Sequence, residues 1–543
     1  MNLIDRKQSI AFIGGRVHTN TSIEIMATAV LIEDGYISAV GHDAEISAQA
    51  SKAGINIQDL QGAVVTPGLY DSHAHPHWAV KLTSGIDLGG IKTLEELREV
   101  LSIEESKLGD GEWLIGWNLE FAVFDGLEIH ADLIEESVAG RPTAIMFYDL
   151  HTGFGTRAAL EAAGIIEPRK FSDRSEIVMG KDGMPTGELS EPSAYNLLFE
   201  AAPSRDRNEE REKLKQMFSR FAEVGLTGCA IMDGKPETIS LVAELEEREE
   251  LDLRLTIHQW HAVGDDDATV GLRIAEKDNH GKLWRADAIK LFSDGVIDTG
   301  TALLHTPDSC GHSTKGFWLD WRRFKEVVQK YHDAGMLVAT HAVGDAAVFE
   351  VAKVYKSLTD RPGLPFHSIE HLEVLTDADI EQLRDTKITA SMQPLHMQWR
   401  SADNDDSWSS RLGPKRWNNG YRVRDILDAG IRLVLGSDWP VAQYDPRIGM
   451  AWARGRKAPG LSAAPVFEAA QQLSGREALL AYTLWPAQAR GNDNQGKIEA
   501  GCVGDLTVWA SDPVTASPDE LINIPILMTI LGGRITHELK NFN

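Results

Sequence analysis

The stretch "FKEVVQKYHDAGMLVATH", Phe324–His341, contains one complete unit of the predicted fold. Its first half repeats apolar residues at helical spacing and closes at Gly335, where a left-handed residue ends a helix. Its second half is a short apolar strand that ends in a histidine. The same order, a helix, then Asp-Ala-Gly, then a strand, recurs in "VRDILDAGIRLVLGSD", Val423–Asp438. Strands that alternate with helices indicate a parallel sheet, and the repetition favours a (β/α)8 TIM barrel in an α/β protein.

The number of candidate strands exceeds that of a TIM barrel by one. The nine candidates are Val64 to Tyr70, Thr143 to Tyr148, Leu226 to Met232, Leu253 to Ile257, Ala286 to Phe292, Leu337 to His341, Ser368 to His371, Ile388 to Met392 and Ile431 to Leu435. The interval from about residue 80 to 200 holds only the second of these, together with several tryptophans. We therefore assign this interval to an insertion after the first barrel strand.

Both ends of the chain have a sequence pattern typical of short β-strands. Residues 10 to 65 contain "SIAFIGGRVHT" and "AVLIEDGYISAVG" with no long helical period, and "KIEAGCVGDLTVWA" returns to this pattern after residue 496. Such segments, separated by Gly and Asp-Gly, are typical of strands and turns. The sequence therefore predicts one small sheet domain built from residues 1–66 and 491–543, with the barrel and its insertion occupying 67–490.

Composition excludes several classes of protein. The 543 residues include 54 basic and 81 acidic ones, and a formal charge of -27 disfavours nucleic acid as a partner. Three cysteines, Cys229, Cys310 and Cys502, lie far apart in no metal or disulfide spacing, which favours a reducing compartment. The N-terminal segment has only four consecutive apolar residues, Ile10 to Ile13, too few for a signal peptide or a membrane span. We expect a cytoplasmic protein without membrane contact.

Side chains that bind metals occur where the predicted strands end. They are His73, His75, Lys290, His341, His371 and Asp438. The carboxyl ends of barrel strands meet at one rim, so residues distant in sequence can share a site there. The period of two along a strand places His73 and His75 on one face, whereas Pro76 redirects the chain and turns His77 elsewhere. Imidazole and carboxylate ligands without a thiolate suit Zn, Mn or Fe(II).

Two of these residues allow alternative interpretations. An ammonium beside a divalent cation is repelled, so Lys290 in the apolar strand "ADAIKLF" is either neutral or chemically altered. Reaction with carbon dioxide would convert it to a carbamate that can bridge two cations, and the other interpretation is a buried lysine paired with Asp287 or Asp294. Asp438, followed closely by Pro440, could instead cap the next helix.

Several longer stretches together resemble a known family. They are "TPGLYDSHAHP", "IKLFSDGVIDTGTALL", "VATHAVGDAAV", "SIEHLEVL", "LGSDWPV" and "GKIEAGCVGDLTVW", which occur in this order over nearly the whole chain. The chain resembles the amidohydrolase superfamily, specifically amidohydrolase family 3, the YtcJ-like branch that includes N-substituted formamide deformylases. The resemblance implies a barrel with a flanking β-sandwich, a metal centre at the barrel mouth and an insertion that roofs the substrate pocket.

The resemblance also implies a role for each strand-end residue. His73 and His75 would bind the buried metal, a carboxylated Lys290 would bridge, His341 and His371 would hold the second metal, and Asp438 would contact the buried metal and the attacking water. His151 and Trp117 of the insertion are the expected substrate contacts, with a packing role as the alternative for the tryptophan. One departure is that Gly155–Thr156 stands where family members usually have Asn-Ser.

The expected function is hydrolysis of a carbon–nitrogen bond in a linear amide, an N-acyl or N-formyl amine, by metal-activated hydroxide. Asp438 would act as the general acid and base, with zinc as the expected metal in one or two ions. A cyclic amide hydrolase, a metal-dependent decarboxylase and a non-catalytic regulator are the alternatives. The expected partner is a small amide substrate, and a homodimer is the expected assembly by resemblance alone.

Overall fold

The computed structural model describes residues 9–21, 26–82, 85–171, 175–203, 206–461 and 463–540. Its largest sheet has eight parallel strands, in chain order from one edge to the other. They are Leu69–Ala74, Leu226–Gly234, Arg254–Trp260, Trp284–Phe292, Leu337–Ala342, Ser368–His371, Thr389–Met392 and Arg432–Leu435. A parallel bridge between Ala74 and Trp439 joins the first strand to the segment after the last. The predicted (β/α)8 barrel is confirmed.

The barrel strands are buried along almost their whole length because helices cover the outside of the sheet and side chains fill its interior. This explains why they are continuous apolar runs rather than alternating patterns. The helix Trp321–Asp333 shows how the covering layer forms: it begins after the cap Asp320 and ends just before Gly335, which has φ 83°. Its buried residues Phe324, Val327, Val328 and Tyr331 follow the helical spacing and face the sheet.

The remaining helices of the barrel part lie between or after its strands. The α-helices are Pro76–Leu82, Arg207–Glu223, Pro236–Glu247, Asp267–Ala275, Asp345–Lys356, Asp377–Arg384, Ser407–Leu412, Val423–Asp428, Pro446–Gly455, Gly475–Ala481 and Leu484–Ala489. A further short helix, Pro518–Leu521, lies outside the barrel part, between the strands Leu506–Trp509 and Ile526–Leu531. Short 3₁₀ helices are Glu276–Asp278, Pro394–Trp399, Trp417–Asn419 and Ala469–Gln471.

A separate six-stranded sheet occupies the interval between the first two barrel strands. Its order is Glu176–Met179, Pro185–Ser190, Thr152–Gly155, Thr143–Phe147, Leu114–Leu119 and Ile86–Asp87. It is accompanied by the helices Leu94–Glu105, Arg157–Ala162 and Pro192–Ala201 and by 3₁₀ turns at Phe121–Phe124, Ala131–Leu133 and Glu135–Val138. Thr143 to Tyr148, the candidate strand in excess of the eight that a barrel needs, therefore lies in this sheet and not in the barrel.

Two further sheets are formed by strands near the chain ends. The four-stranded one has the order Tyr36–Gly41, Ala29–Glu33, Ile10–Ile13 and Asn56–Asp59, and the five-stranded one the order Arg16–Val17, Val64–Pro67, Leu506–Trp509, Ile526–Leu531 and Arg534–Glu538. Both sheets contribute to one apolar core, in which Phe12 and Ile32 pack with Val508 and Ile530. Strands from both chain ends thus share one sheet.

Two details of the prediction were wrong. The candidate strand Val64 to Tyr70 is two strands, because Gly68 breaks it where the chain passes from the terminal sheet into the barrel. A side chain at Gly68 would meet Thr227 Oγ1 at 2.2 Å, so the crossing requires glycine. The helix Asp43–Ala53 was not predicted, since it buries only Ile46 and Ala50 and its apolar period is weak.

Within the described ranges, every helix is too short or too polar to cross a membrane. The predicted terminal segments include residues 1–8, 22–25 and 541–543, which lie outside the described residues.

Candidate metal centre

Three of the predicted ligands meet at the mouth of the barrel. His73 lies on the first strand and His75 directly after it, and their ring centroids are 5.3 Å apart. The Nε2 atoms of these histidines lie 3.3 Å and 3.1 Å from Asp438 Oδ1, respectively. All three residues are buried, and one donor atom from each lies within 4.8 Å of the others. Two imidazoles and a carboxylate at this spacing fit a divalent transition metal such as zinc.

Glu370 holds the ring of His73 in place. His73 Nδ1 lies 2.7 Å from Glu370 Oε2, both side chains are at most 1% exposed, and Ser368 Oγ donates to the other carboxylate oxygen. Burial lowers the pKa of His73 well below its usual value, so the ring is neutral. Because Nδ1–H donates to Glu370, the lone pair of Nε2 faces Asp438. This carboxylate–histidine arrangement is typical of metal ligands, whose second nitrogen is oriented in the same way.

Lys290 lies directly beside this group. Its Nζ is 3.2 Å from His73 Nε2, it is fully buried, and burial lowers its pKa to about 8. Asp287 instead pairs with an arginine, and Asp294 accepts three backbone N–H groups. The alternative ion pairs of Lys290 are therefore not formed. Burial thus favours the neutral amine, which is the form that reacts with carbon dioxide.

His341 and His371 border the same group. Their ring centroids are 4.4 Å apart, and the ring of His371 lies 4.8 Å from that of His73. His371 Nδ1 is 3.9 Å from Asp438 Oδ2, and His341 Nε2 is 3.1 Å from the carbonyl oxygen of Gly295. Burial lowers the pKa of both histidines well below the usual value, so both are neutral. The structure thus brings the second predicted pair next to the first.

The backbone is unusual at two of these positions. His371 has φ 79° and Asp438 has φ 61°, a region that residues other than glycine rarely adopt. Asp438 N donates to the carbonyl oxygen of His73 at 2.7 Å, which fixes the turn after the last strand. Asp438 caps no helix, because the next one starts at Pro446 and is capped by Asp445. Burial alone would raise the pKa of Asp438, but the hydrogen bond from His75 brings it below its usual value.

A cavity opens above the candidate ligands. It is lined by His75, Trp78, Tyr148, Asp149, Leu150, His151, Pro192, Tyr195, Phe292, Val296, Asp298, His341, Val343, His371, Glu373, His396, Trp399, Arg400, Trp408, Tyr421, Asp438 and Val441. Residues 148–151, 192 and 195 belong to the predicted insertion. Mostly apolar walls with a few convergent polar groups are typical of a small-molecule site.

The two predicted substrate contacts differ in their positions. His151 lines the cavity, and its Nδ1 lies 2.6 Å from Glu191 Oε2. Burial alone would lower the pKa of His151, but the Glu191 carboxylate raises it to about 9. Trp117 packs edge-on against Trp439 with ring centroids 6.1 Å apart, and it is absent from the described lining of the cavity.

Two other polar residues near the ligands have different positions. His77 belongs to the helix Pro76–Leu82, and its Nδ1 lies 2.6 Å from Thr238 Oγ1, away from the cavity. Asp233, which the prediction left out, ends the second barrel strand. Its carboxylate accepts a hydrogen bond from the backbone N–H of Trp78.

Sequence reasoning missed Glu370 and His396. Glu370 is an acid inside the four-residue strand "SIEH", and a buried carboxylate there requires a partner, which was an available signal. His396 lies on the 3₁₀ helix that follows the strand Thr389–Met392, at the same rim as the other ligands. Its Nε2 lies 3.9 Å from Asp438 Oδ2. The available signal was its position a few residues beyond the end of a barrel strand.

A family model, two curated relatives and a solved structure are similar to this chain over most of its length. The family model described as "Amidohydrolase family" matches residues 56–537. The YtcJ protein of Bacillus subtilis is 27% identical over 97% of this chain and 98% of its own, and the N-substituted formamide deformylase of Arthrobacter pascens is 27% identical over 98% of both. An uncharacterized metal-dependent hydrolase from Pyrococcus horikoshii has the same fold, with a TM-score of 0.75 at 22% identity over 94% of this chain and 99% of that one. This chain belongs to the amidohydrolase family.

Proposed function

We propose that this protein is a metal-dependent hydrolase that cleaves the carbon–nitrogen bond of a linear amide, an N-acyl or N-formyl amine. The observation that carries the proposal is the meeting of His73, His75 and Asp438 below one cavity, with donor atoms within 4.8 Å. The relative named N-substituted formamide deformylase, similar over almost its full length, supports a linear amide as the substrate.

The residues at the mouth divide into two sets of ligands. His73, His75 and Asp438 would hold one cation, and His341 and His371 a second, with Lys290 as a carbamate between them. Zinc suits this set because it accepts imidazole nitrogen and carboxylate oxygen equally well. Such a cation supplies Lewis acidity, which lowers the pKa of water toward about 7 and polarises a carbonyl group.

Asp438 is the residue suited to move protons. Its lowered pKa keeps it ionised near neutral pH, so it can accept a proton from the attacking water. It can then donate this proton to the departing nitrogen, which an amide requires because an amide anion leaves poorly. Proton transfer of this kind contributes about a hundredfold to ten-thousandfold to the rate.

The insertion would roof the cavity and supply a hydrogen-bond donor. His151 is held by Glu191 through Nδ1, which leaves Nε2 as the nitrogen that can donate to a substrate oxygen. The raised pKa keeps the ring charged at neutral pH and strengthens this hydrogen bond. We therefore assign His151 to substrate binding.

The test combines a substrate screen with one variant. We expect the zinc-loaded protein to hydrolyse formamides and acyl amines. The Asp438→Asn variant should retain its fold and much of its metal, and its kcat should be about 10²- to 10⁴-fold lower. Asp405→Asn, an exposed acid outside the cavity, is the matched control. Substantial turnover by Asp438→Asn would refute the assigned role.

The screen also separates the alternatives. Hydrolysis restricted to cyclic amides or imides would indicate a cyclic amide hydrolase, and release of carbon dioxide from a carboxylic acid would indicate a decarboxylase. A protein that binds no metal and leaves every amide intact would favour a non-catalytic regulator.

A further inference from the structure

Aromatic rings extend along the cavity wall from the candidate metal ligands. The ring of His371 stacks on that of His396 at 6.4 Å, His396 contacts Trp399 at 5.2 Å, and Trp399 contacts Tyr148 at 5.1 Å. Trp408 and Tyr421 stack at 5.8 Å and line the same cavity. The part of the cavity beyond His396 is therefore walled by the faces and edges of large rings.

Three carboxylates line this aromatic part. Glu373 Oε2 accepts a hydrogen bond from Trp408 Nε1 at 3.1 Å, and its other oxygen is 3.7 Å from His396 Nδ1, beyond hydrogen-bonding distance. Asp149 is only 7% exposed: Oδ1 accepts two backbone N–H groups, whereas Oδ2 has no hydrogen-bond partner among the described residues. Asp298 lines the same cavity and forms no ion pair with any residue of the described ranges.

The cations of the lining already have other partners. Arg400 Nη1 lies 2.9 Å from a carboxylate oxygen of Glu468, and its guanidinium stacks over the ring of Trp408 at 4.6 Å. His151 is paired with Glu191 at 2.6 Å. Glu468 also pairs with the buried Arg456 at 3.2 Å, so two arginines share this carboxylate and one positive charge remains. Neither Glu468 nor Glu191 is part of the cavity lining, and the three lining carboxylates exceed this single charge.

The pKa values of Asp298 and Asp149 are raised. Burial, together with the carboxylates of Glu373 and Asp149, raises the pKa of Asp298 to about 7. Burial also raises the pKa of Asp149 to about 6. A cation placed among these groups would relieve the repulsion and replace the water lost on burial. Aromatic faces attract the same cation through their quadrupoles.

We propose that the substrate amide carries a protonated amine, which binds between Asp149, Asp298 and Glu373 and against the rings of Tyr148 and Trp399. The inference rests on the proposed function, because it places the scissile amide beside Asp438 at the other part of the same cavity. The substrate class is thus an N-acyl or N-formyl derivative of a diamine or of a similar basic amine, rather than of a neutral alkylamine.

The test compares matched pairs of amides with the zinc-loaded, full-length protein. Each pair has the same acyl group and chain length, and the far end carries either an ammonium or a methyl group. We expect kcat/KM to be at least tenfold higher for the ammonium member. We expect Asp298→Asn to lower the ratio of the two kcat/KM values at least fivefold, whereas Asp405→Asn, which replaces an exposed acid, leaves the ratio unchanged.

A binding measurement covers the case in which Asp298→Asn does not fold. A primary alkylammonium ion should inhibit hydrolysis of a neutral amide by the unmodified protein at least tenfold more strongly than the alcohol of equal length. Equal inhibition, or equal kcat/KM within the pairs, would overturn the inference while the proposed function stands. If neither member of any pair is hydrolysed, the proposed function fails and the inference falls with it.

Discussion

Replacing Glu370 by glutamine tests whether the candidate centre binds metal through an oriented His73. Glutamine keeps the shape of the side chain and can still accept a hydrogen bond, but it removes the negative charge that lies 2.7 Å from His73 Nδ1. A hydrogen bond to a charged group contributes about 1.5–3 kcal/mol, and the neutral replacement retains roughly 0.5–1.5 kcal/mol. The net loss of about 1–2 kcal/mol corresponds to a roughly 5- to 30-fold weaker Kd for zinc.

The assay is competition for zinc between the protein and a chromophoric chelator near neutral pH. Glu381→Gln, which replaces an exposed glutamate of the helix Asp377–Arg384, is the control and should leave the Kd unchanged. A double-variant cycle with His73→Ala isolates the pair, because Glu370→Gln should have little further effect once the imidazole is absent. A Kd within twofold of the original, or an equal loss in the absence of His73, would refute the reasoning.

Three other outcomes follow from the structure. Gly436→Ala places a Cβ 2.6 Å from His73 N. We therefore expect the free energy of unfolding, measured by urea denaturation, to fall by about 1–3 kcal/mol, and zinc binding, measured by chelator competition, to weaken. An unchanged denaturation midpoint would contradict this. Arg424 lowers the pKa of Glu477 to about 2. Glu477→Gln should therefore lower the free energy of unfolding by its full amount above pH 4.5, and the difference from the original protein should shrink as the pH falls toward 3. A difference that stays constant with pH in denaturation experiments would refute the pairing. The free energy of unfolding should be about 2.7 kcal/mol lower after zinc is removed with a chelator than in the presence of free zinc at a hundred times the Kd. An unchanged unfolding transition in calorimetry would argue against a zinc site in the native state.

The parts of the fold that local chemistry determines were predictable from sequence. Gly335 ends a helix because its φ is positive, and the apolar run after it is buried on both faces, so both features are visible in one short stretch. The strand-end rule brought His73, His341 and Asp438 together although hundreds of residues separate them. The break at Gly68 was missed because it arises from contact with Thr227, which is remote in sequence.

The cavity was less predictable than the ligands. Whether a tryptophan lines a pocket or packs behind it depends on the position of the neighbouring chain, and Trp117 lies against Trp439. Asp149, Asp298 and Glu373 come from three separate segments, and no spacing rule connects them. Their common environment is a property of the tertiary structure, in which strands and the six-stranded sheet approach one another.

The sheet shared by the two chain ends has a consequence for biosynthesis. Val64–Pro67 pairs with Leu506–Trp509, and only Gly68 separates it from the strand that carries His73. During translation the strand that carries His73 leaves the ribosome more than four hundred residues before the segment that anchors its base. The nascent chain therefore cannot complete this anchor until residues 506–509 have left the ribosome, and metal loading of the candidate centre is expected to follow that step.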